Sequence, residues 1–310
     1  MNFIPTEYSA LLDIFRQYPT WYYTFLFILG ALVGSFLNVV IYRFPRMLEQ
    51  QWRQESQYVQ SLINAGESLI KPSHEFMQQL SEQPNIEVQE TLSRPRSHCP
   101  TCKRPIRFYE NIPLISFIFL RAQCRGCKTK ISWRYPFIEA LTGICSALVG
   151  WTLGVEWVTF AALIFTWLLI TLTWIDFDTQ LLPDPMVFCL LWLGLLCNTA
   201  HWFTNLESAV IGAAAGYLML WSIFWLYKLL TGKEGMGYGD FKLLAALGAW
   251  FGFAALPSII LIASFTGAIV GISLIILLGR SRHVPIAFGP YLALGGWVQL
   301  FSSHFSFSLF

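Results

Sequence analysis

Charged residues are scarce in this chain of 310: Asp, Glu, Lys and Arg together make up 12%. A water-soluble domain carries about 25%, so the shortage excludes a wholly soluble protein. The 20 Lys and Arg stand against 18 Asp and Glu, and the formal net charge of +2 lacks the basic excess that nucleic-acid binding requires. A G-x-G-x-x-G turn and a Walker lysine are also missing, which leaves the glycine-rich stretch Gly235 to Gly239 without a nucleotide-binding reading. No A-x-A site follows the first apolar run, and twenty mixed residues with Glu7 and Asp13 precede it. That run therefore reads as a retained span and not as a cleaved signal peptide.

What the chain does have is apolar residues, 55% of the total, with a mean hydropathy of +0.53. Aromatics reach 16% and include 13 Trp, a composition suited to interfacial belts at the two edges of a bilayer. The first uncharged run, Trp21 to Tyr42, has 22 residues, enough to cross about 30 Å of hydrocarbon as a helix. Seven more follow: Phe137 to Val155, Trp157 to Ile175, Met186 to Phe203, Ser208 to Tyr227, Leu243 to Leu256, Ser258 to Gly279 and Val284 to Phe305. The expected fold is an all-α polytopic membrane protein of about eight transmembrane helices. The run from Leu243 to Leu256 has only 14 residues, so it is either a short span entered below the surface or a re-entrant element. Small-xxx-small pairs (Gly30/Gly34, Gly212/Gly216, Gly248/Gly252, Gly267/Gly271) predict close helix packing in lipid.

The charge is concentrated in one segment. Arg43 to Arg134 holds 14 of the 20 basic residues and 8 of the 18 acids, a water-soluble insert between the first two spans. Three parts follow: 1–42 with the first span, 43–135 as a cytoplasmic domain and 136–310 as the helical bundle. The positive-inside bias puts that insert in the cytoplasm and both termini outside. The loops bearing Lys228, Lys233, Lys242, Arg280 and Arg282 then also lie inside, and Arg16 is the one exception. The stretch from about Gln50 to Ser93, rich in Gln, Glu and Ser, reads as a polar helix or a partly ordered excursion.

Within the insert, Cys99-Pro-Thr-Cys102 and Cys124-Arg-Gly-Cys127 form two C-x-x-C knuckles 21 residues apart. Four thiolates at this spacing can close a tetrahedral zinc site, and a reducing cytoplasm keeps them available. Two disulfides or a redox pair are the competing reading. A closed site leaves no position for substrate, so the zinc is structural. Cys145, Cys189 and Cys197 lie in apolar runs and read as packing residues.

Acids at the membrane edge are functional candidates by default. Asp176, Asp178 and Asp184 follow the third run, and Asp240 ends the loop Gly235-Met-Gly-Tyr-Gly239-Asp240. In the expected topology these groups meet at the cytoplasmic side. Two carboxyls within a few ångströms cannot both ionise, and such a pair serves as acid and base toward a shared water. Asp178 and Asp184 also suit plain loop-facing or helix-end roles. Gly237 and Gly239 would allow unusual backbone conformations and close approach of a substrate strand. Glu139, a charge early in the second span, is a further candidate for the substrate environment, with helix-end snorkelling as the alternative.

Taken together, these motifs resemble the type IV prepilin peptidases, bacterial inner-membrane aspartic proteases. The resemblance is carried by Gly34-Ser-Phe-Leu-Asn-Val-Val-Ile-Tyr-Arg43, the four cysteines, Glu110-Asn-Ile-Pro113, Arg134-Tyr-Pro136 with Glu139, the Asp-x6-Pro element Asp176 to Pro183, and Gly237-Tyr-Gly-Asp240. The resemblance implies that Asp176 and Asp240 are the catalytic pair. It also implies prepilins and type II secretion pseudopilins as substrates, cut next to a glycine at the cytoplasmic face. By the same resemblance, S-adenosylmethionine is the donor for methylation of the new N-terminus, and the zinc domain helps hold substrate or methyl donor. A proton-coupled transporter would need acids at mid-bilayer and repeated halves. A zinc-stapled scaffold of a secretion machine would tolerate loss of the acids.

Overall fold

The structure is a computed structural model, and it describes residues 13–65, 90–233, 235–279 and 286–302. The expected excursion between 66 and 89 lies outside the described residues, as do Arg280 and Arg282 of the expected cytoplasmic loops. Among the described residues the chain is helical, with isolated bridges but no named strand.

Helix α1 spans Pro19–Ala65 and the short α2 spans Ile115–Phe119. The bundle follows as α3 Arg134–Leu153, α4 Trp157–Thr179, α5 Asp184–Thr199, α6 Leu206–Thr231, α7 Tyr238–Phe251, α8 Leu256–Leu278 and α9 Gly289–Ser302. Every expected apolar run therefore meets a helix. Five helical stretches are long and apolar enough to cross a membrane, those of α1, α3, α4, α6 and α8. Of the other three, α5 and α7 have 16 and 14 residues, which at 1.5 Å per residue reach only about 21–24 Å, and 14 residues of α9 are described.

Two features add to the expectation. First, α1 does not stop where the charge begins at Arg43. Its Gln-, Glu- and Arg-rich continuation is good helix-forming sequence, so one helix passes from apolar to polar surroundings and carries Pro45 in its interior. Second, the 14-residue run forms the middle of the bundle. From Leu243 to Trp250 nearly every side chain of α7 is buried, and α5, α6 and α9 pack around it. A helix apolar on all sides belongs in a core.

Glycines set the approach of α6 to α7. A Cβ at Gly216 would lie 2.7 Å from the Leu244 carbonyl, and one at Gly212 would lie 2.6 Å from that of Gly248. Gly30 and Gly34 do the same for α1 against α3. Gly267 differs, because it accommodates the Tyr291 ring and not a backbone. The far end of α7 is fixed by Asn198, fully buried on α5, whose amide donates to the carbonyls of Ala249 and Trp250 at 2.8 and 2.9 Å and accepts from the amides of Phe203 and Thr204. All four hydrogen-bonding positions of this side chain are filled, and the near end of α7 is thereby held at a defined height.

Candidate active site and metal centre

Asp176 sits in the last turn of α4. The helix ends just beyond it because Gln180 adopts a left-handed conformation, φ 55°, and returns its N–H to the Asp176 carbonyl at 2.9 Å. Leu181 to Pro183 then cross to α5. Asp240 sits in the first turn of α7, whose entry is the extended residue Gly237. Leu182 lies between the two elements: a Cβ at Gly239 would be 2.8 Å from its Cβ, and one at Gly289 would be 3.2 Å from its Cδ1. The ends of α4, α7 and α9 therefore converge on one leucine, and Asp176 and Asp240 come within electrostatic range of each other.

Four aspartates lie at this end of the bundle, and their partners divide them. Asp178 forms a two-pronged pair with Arg134 of α3, with Nη1 at 2.9 Å from Oδ1. Asp184 takes Lys242 Nζ at 2.6 and 2.8 Å. Among the described residues no cation reaches Asp176 or Asp240, although the two are only 4% and 7% exposed. Asp176 Oδ2 is buried with no hydrogen-bond partner. A buried carboxyl oxygen left this way calls for a proton, a water or a substrate group. Asp178 and Asp184 are thus each held by a cation, and the two aspartates without one are those that the resemblance selects.

The glycines act differently from the expectation. Gly237 has φ −80°, which any residue adopts, and a Cβ there would still be 3.9 Å from Asp240 Oδ2, so the side facing that acid is open. Gly239 is needed for its contact with Leu182 and not for an unusual backbone. A third glycine, missed in the sequence, matters more: a Cβ at Gly289 would stand 2.5 Å from Asp176 Oδ2, and the Gly289 N–H approaches the same carboxyl. The available signal was the Gly289-Pro290 pair at the start of the last apolar helix, an N-terminus facing an acid. Gly289→Ala is expected to push Asp176 out of place and lower peptide cleavage by about 10²-fold, the scale on which a misplacement of one ångström acts. Cleavage assays on the detergent-purified variant, with its melting curve alongside, check this.

Glu139 is buried on α3 and its Oε2 accepts the Leu114 N–H at 2.9 Å, with the Ser35 hydroxyl as a further partner. Asn38 of α1 donates to the Tyr135 carbonyl at 3.2 Å, and buried Arg43 donates to the carbonyls of Thr91, Leu92 and Pro95. The first-span motif and Glu139 thus clamp the four-cysteine segment to the bundle. Arg43→Gln is expected to release the 91–95 stretch, at a cost of roughly 1.5–3 kcal/mol for each hydrogen bond lost from the charged group. Hydrogen exchange of those amides would report it.

The four cysteines form a cluster whose Sγ atoms all lie within 4.8 Å of one another. Sγ of Cys99 and Cys127 are 3.7 Å apart, and those of Cys102 and Cys124 are 4.0 Å apart. Tetrahedral coordination with metal–sulfur bonds of about 2.3 Å places sulfurs about 3.8 Å apart, whereas a disulfide needs about 2.05 Å. The donor set therefore fits a metal. The two knuckles share one design: Lys103 and Lys128, each following the second cysteine, are left-handed at φ 58° and 61°. Each returns its N–H to the first cysteine's carbonyl, at 2.9 and 3.0 Å. The Thr129 hydroxyl, 3.2 Å away, helps lower the Cys127 thiol to about 6, while Cys102 in the same cluster is raised to about 11. Glu110 braces the cluster from beside it, pairing with Arg104 at 2.8 Å and accepting the Arg107 N–H at 3.1 Å.

Comparison with known proteins gives one family. Residues 28–153 match the model described as bacterial peptidase A24 N-terminal domain, and residues 163–272 match that of the type IV leader peptidase family. The chain is 49% identical over 293 residues to a prepilin leader peptidase/N-methyltransferase of Aeromonas hydrophila, covering 94% of each chain. Proteins of the same name from Pseudomonas aeruginosa and Neisseria gonorrhoeae are 46% and 48% identical, covering 94% and 87% of this chain and 93% and 87% of theirs. No solved structure matches the chain significantly. With both halves matched in order and relatives this similar along nearly the whole length, the chain belongs to the type IV leader peptidase family.

Proposed function

We propose that the chain removes the basic leader from type IV prepilins and type II secretion pseudopilins and then methylates the new N-terminal residue with S-adenosylmethionine. The observation that carries the peptidase reading is the pairing of two buried acids without a cation at the junction of α4, α7 and α9, where two neighbouring acids are each neutralised. A prepilin carries its leader in water and an apolar helix in lipid, so its scissile bond stands at the membrane edge. Asp176 and Asp240 lie at the bundle end that carries the four-cysteine segment, as that substrate requires.

In this mechanism the two carboxyls share one proton. The ionised member takes a proton from water, whose oxygen attacks the scissile carbonyl. The protonated member supports the developing oxyanion and then protonates the leaving amine. Gly237, open beside Asp240, is where the substrate backbone approaches. Residues 43–135 form the cytoplasmic domain between the first span (1–42) and the bundle (136–310), in the bacterial inner membrane with both termini periplasmic. Cys99, Cys102, Cys124 and Cys127 would hold zinc, which would supply a fixed fold and take no part in the cleavage. One open depression is lined by Arg46, Glu49, Gln50, Arg53 and Glu90, and another by Arg121, Lys130, Ile131 and Trp133 among others. Methylation is supported by the family alone.

Acids at one end of the bundle and not at its middle count against a proton-coupled transporter. The test is mass spectrometry of a co-expressed prepilin's N-terminus. A shortened chain heavier by one methyl group is expected; an intact leader would contradict the peptidase reading, and a shortened, unmethylated chain would contradict the transferase reading alone.

A further inference from the structure

The four-cysteine segment does not sit wholly in water. Leu114 donates its N–H to Glu139, which lies five residues into α3, about 7.5 Å inward of Arg134 at 1.5 Å per residue. On α1, Gly34 packs against Glu139, and Arg43, which holds the 91–95 stretch, is nine residues or about 13 Å farther out. The start of α2 is therefore much deeper than the stretch Arg43 holds. An aromatic belt marks the intervening level: Trp133 is 74% exposed, and Arg134 lies over the ring of Trp174 at 4.9 Å.

At that depth α2 turns its apolar side chains outward. Ile118 and Phe119 are 73% and 83% exposed, Ile115 is exposed beside them, and Phe117 packs edge-on against Trp133 with ring centroids 4.7 Å apart. Directly behind α2, Arg121 and Lys130 share a shallow depression of about 360 Å³ with Trp133. Residues 90–134 carry ten Lys and Arg against Glu90 and Glu110, and Glu110 is already paired. Apolar side chains at the height of the membrane edge, backed by cations, form the pattern of a segment lying in the headgroup region.

We propose that α2 dips into the bilayer as a wedge, with Ile118 and Phe119 among the acyl chains and Arg121 and Lys130 on the phosphates of anionic phospholipid. The contact seats the metal-binding knuckles against the membrane beside the bundle. It requires a membrane-embedded chain and not peptidase activity.

The test uses the full chain with benzoylphenylalanine at position 118 or 119, and at Arg96 as the outer control, reconstituted in vesicles of phosphatidylethanolamine and phosphatidylglycerol. Phe119 is almost fully exposed, so the replacement disturbs no packing. Irradiation is expected to give lipid adducts at 118 and 119 and none at 96. Exchanging phosphatidylglycerol for phosphatidylcholine, or combining Arg121→Gln with Lys130→Gln, is expected to lower the yield. Three results would overturn the wedge: no lipid adduct at 118 and 119, equal adducts at 96, or replacement of lipid adducts by capture of an added prepilin or a second copy. A yield indifferent to headgroup charge would overturn the phosphate contact.

Discussion

Asp176→Asn and Asp240→Asn are each expected to lower leader cleavage by about 10²–10⁴-fold or more, the contribution of a positioned acid or base. Asparagine keeps the shape and can neither take a proton from water nor hand one to the leaving amine. Neither replacement breaks an ion pair among the described residues, and Asp176 Oδ2 gives up no hydrogen bond, so both variants are expected to fold and insert normally. The double variant is expected to be no worse than either single one, because residues acting as one unit lose their function together. Prepilin cleavage by the three purified variants, with their melting curves, measures all of this.

Loss of the metal is the second large effect. Structural zinc contributes roughly 10–16 kcal/mol in the small domains where it has been apportioned. The segment around Cys99–Cys127 has little else: among the described residues its own regular elements are a four-residue 3-10 turn and the five-residue α2. Combining Cys102→Ser with Cys127→Ser, or stripping the metal with a chelator, is expected to unfold residues from about 97 to 131 and leave the bundle intact. Metal analysis should fall from about one zinc per chain to none, and protease cleavage should appear within the segment. Intact Cys99–Cys127 and Cys102–Cys124 disulfides in place of metal would contradict the assignment.

How much of this was legible beforehand depends on the range of the interaction. Hydropathy found every apolar helix of the bundle, since each span must satisfy its own backbone in lipid and so announces itself locally, but it passed over the five-residue α2. The C-x-x-C knuckles were legible for the same reason, each being a short turn around its own pair of sulfurs. The boundary at residues 42 and 43 was a change of composition, and composition does not end a helix whose residues still favour one; α1 runs on to Ala65. Which acids are neutralised could not be read, because Arg134 and Asp178 are 44 residues apart and Lys242 and Asp184 are 58 apart. The resemblance chose Asp176 by its spacing to Pro183, and the fold adds that its neighbours Asp178 and Asp184 are held in ion pairs. Gly289 stayed hidden because a glycine's neighbour across a bundle leaves no trace in a single sequence.

The central claim is that the two acids without cations do the chemistry and the two paired acids do not. It is tested most directly by one cleavage assay run on Asp176→Asn, Asp240→Asn, Asp178→Asn and Asp184→Asn with a purified prepilin. The first two are expected to lose about 10²–10⁴-fold or more. The last two are expected to stay within about fivefold of the parent, since partly exposed ion pairs contribute roughly 1 kcal/mol or less. Normal cleavage by either of the first two, or loss of cleavage confined to Asp178→Asn or Asp184→Asn, would contradict it.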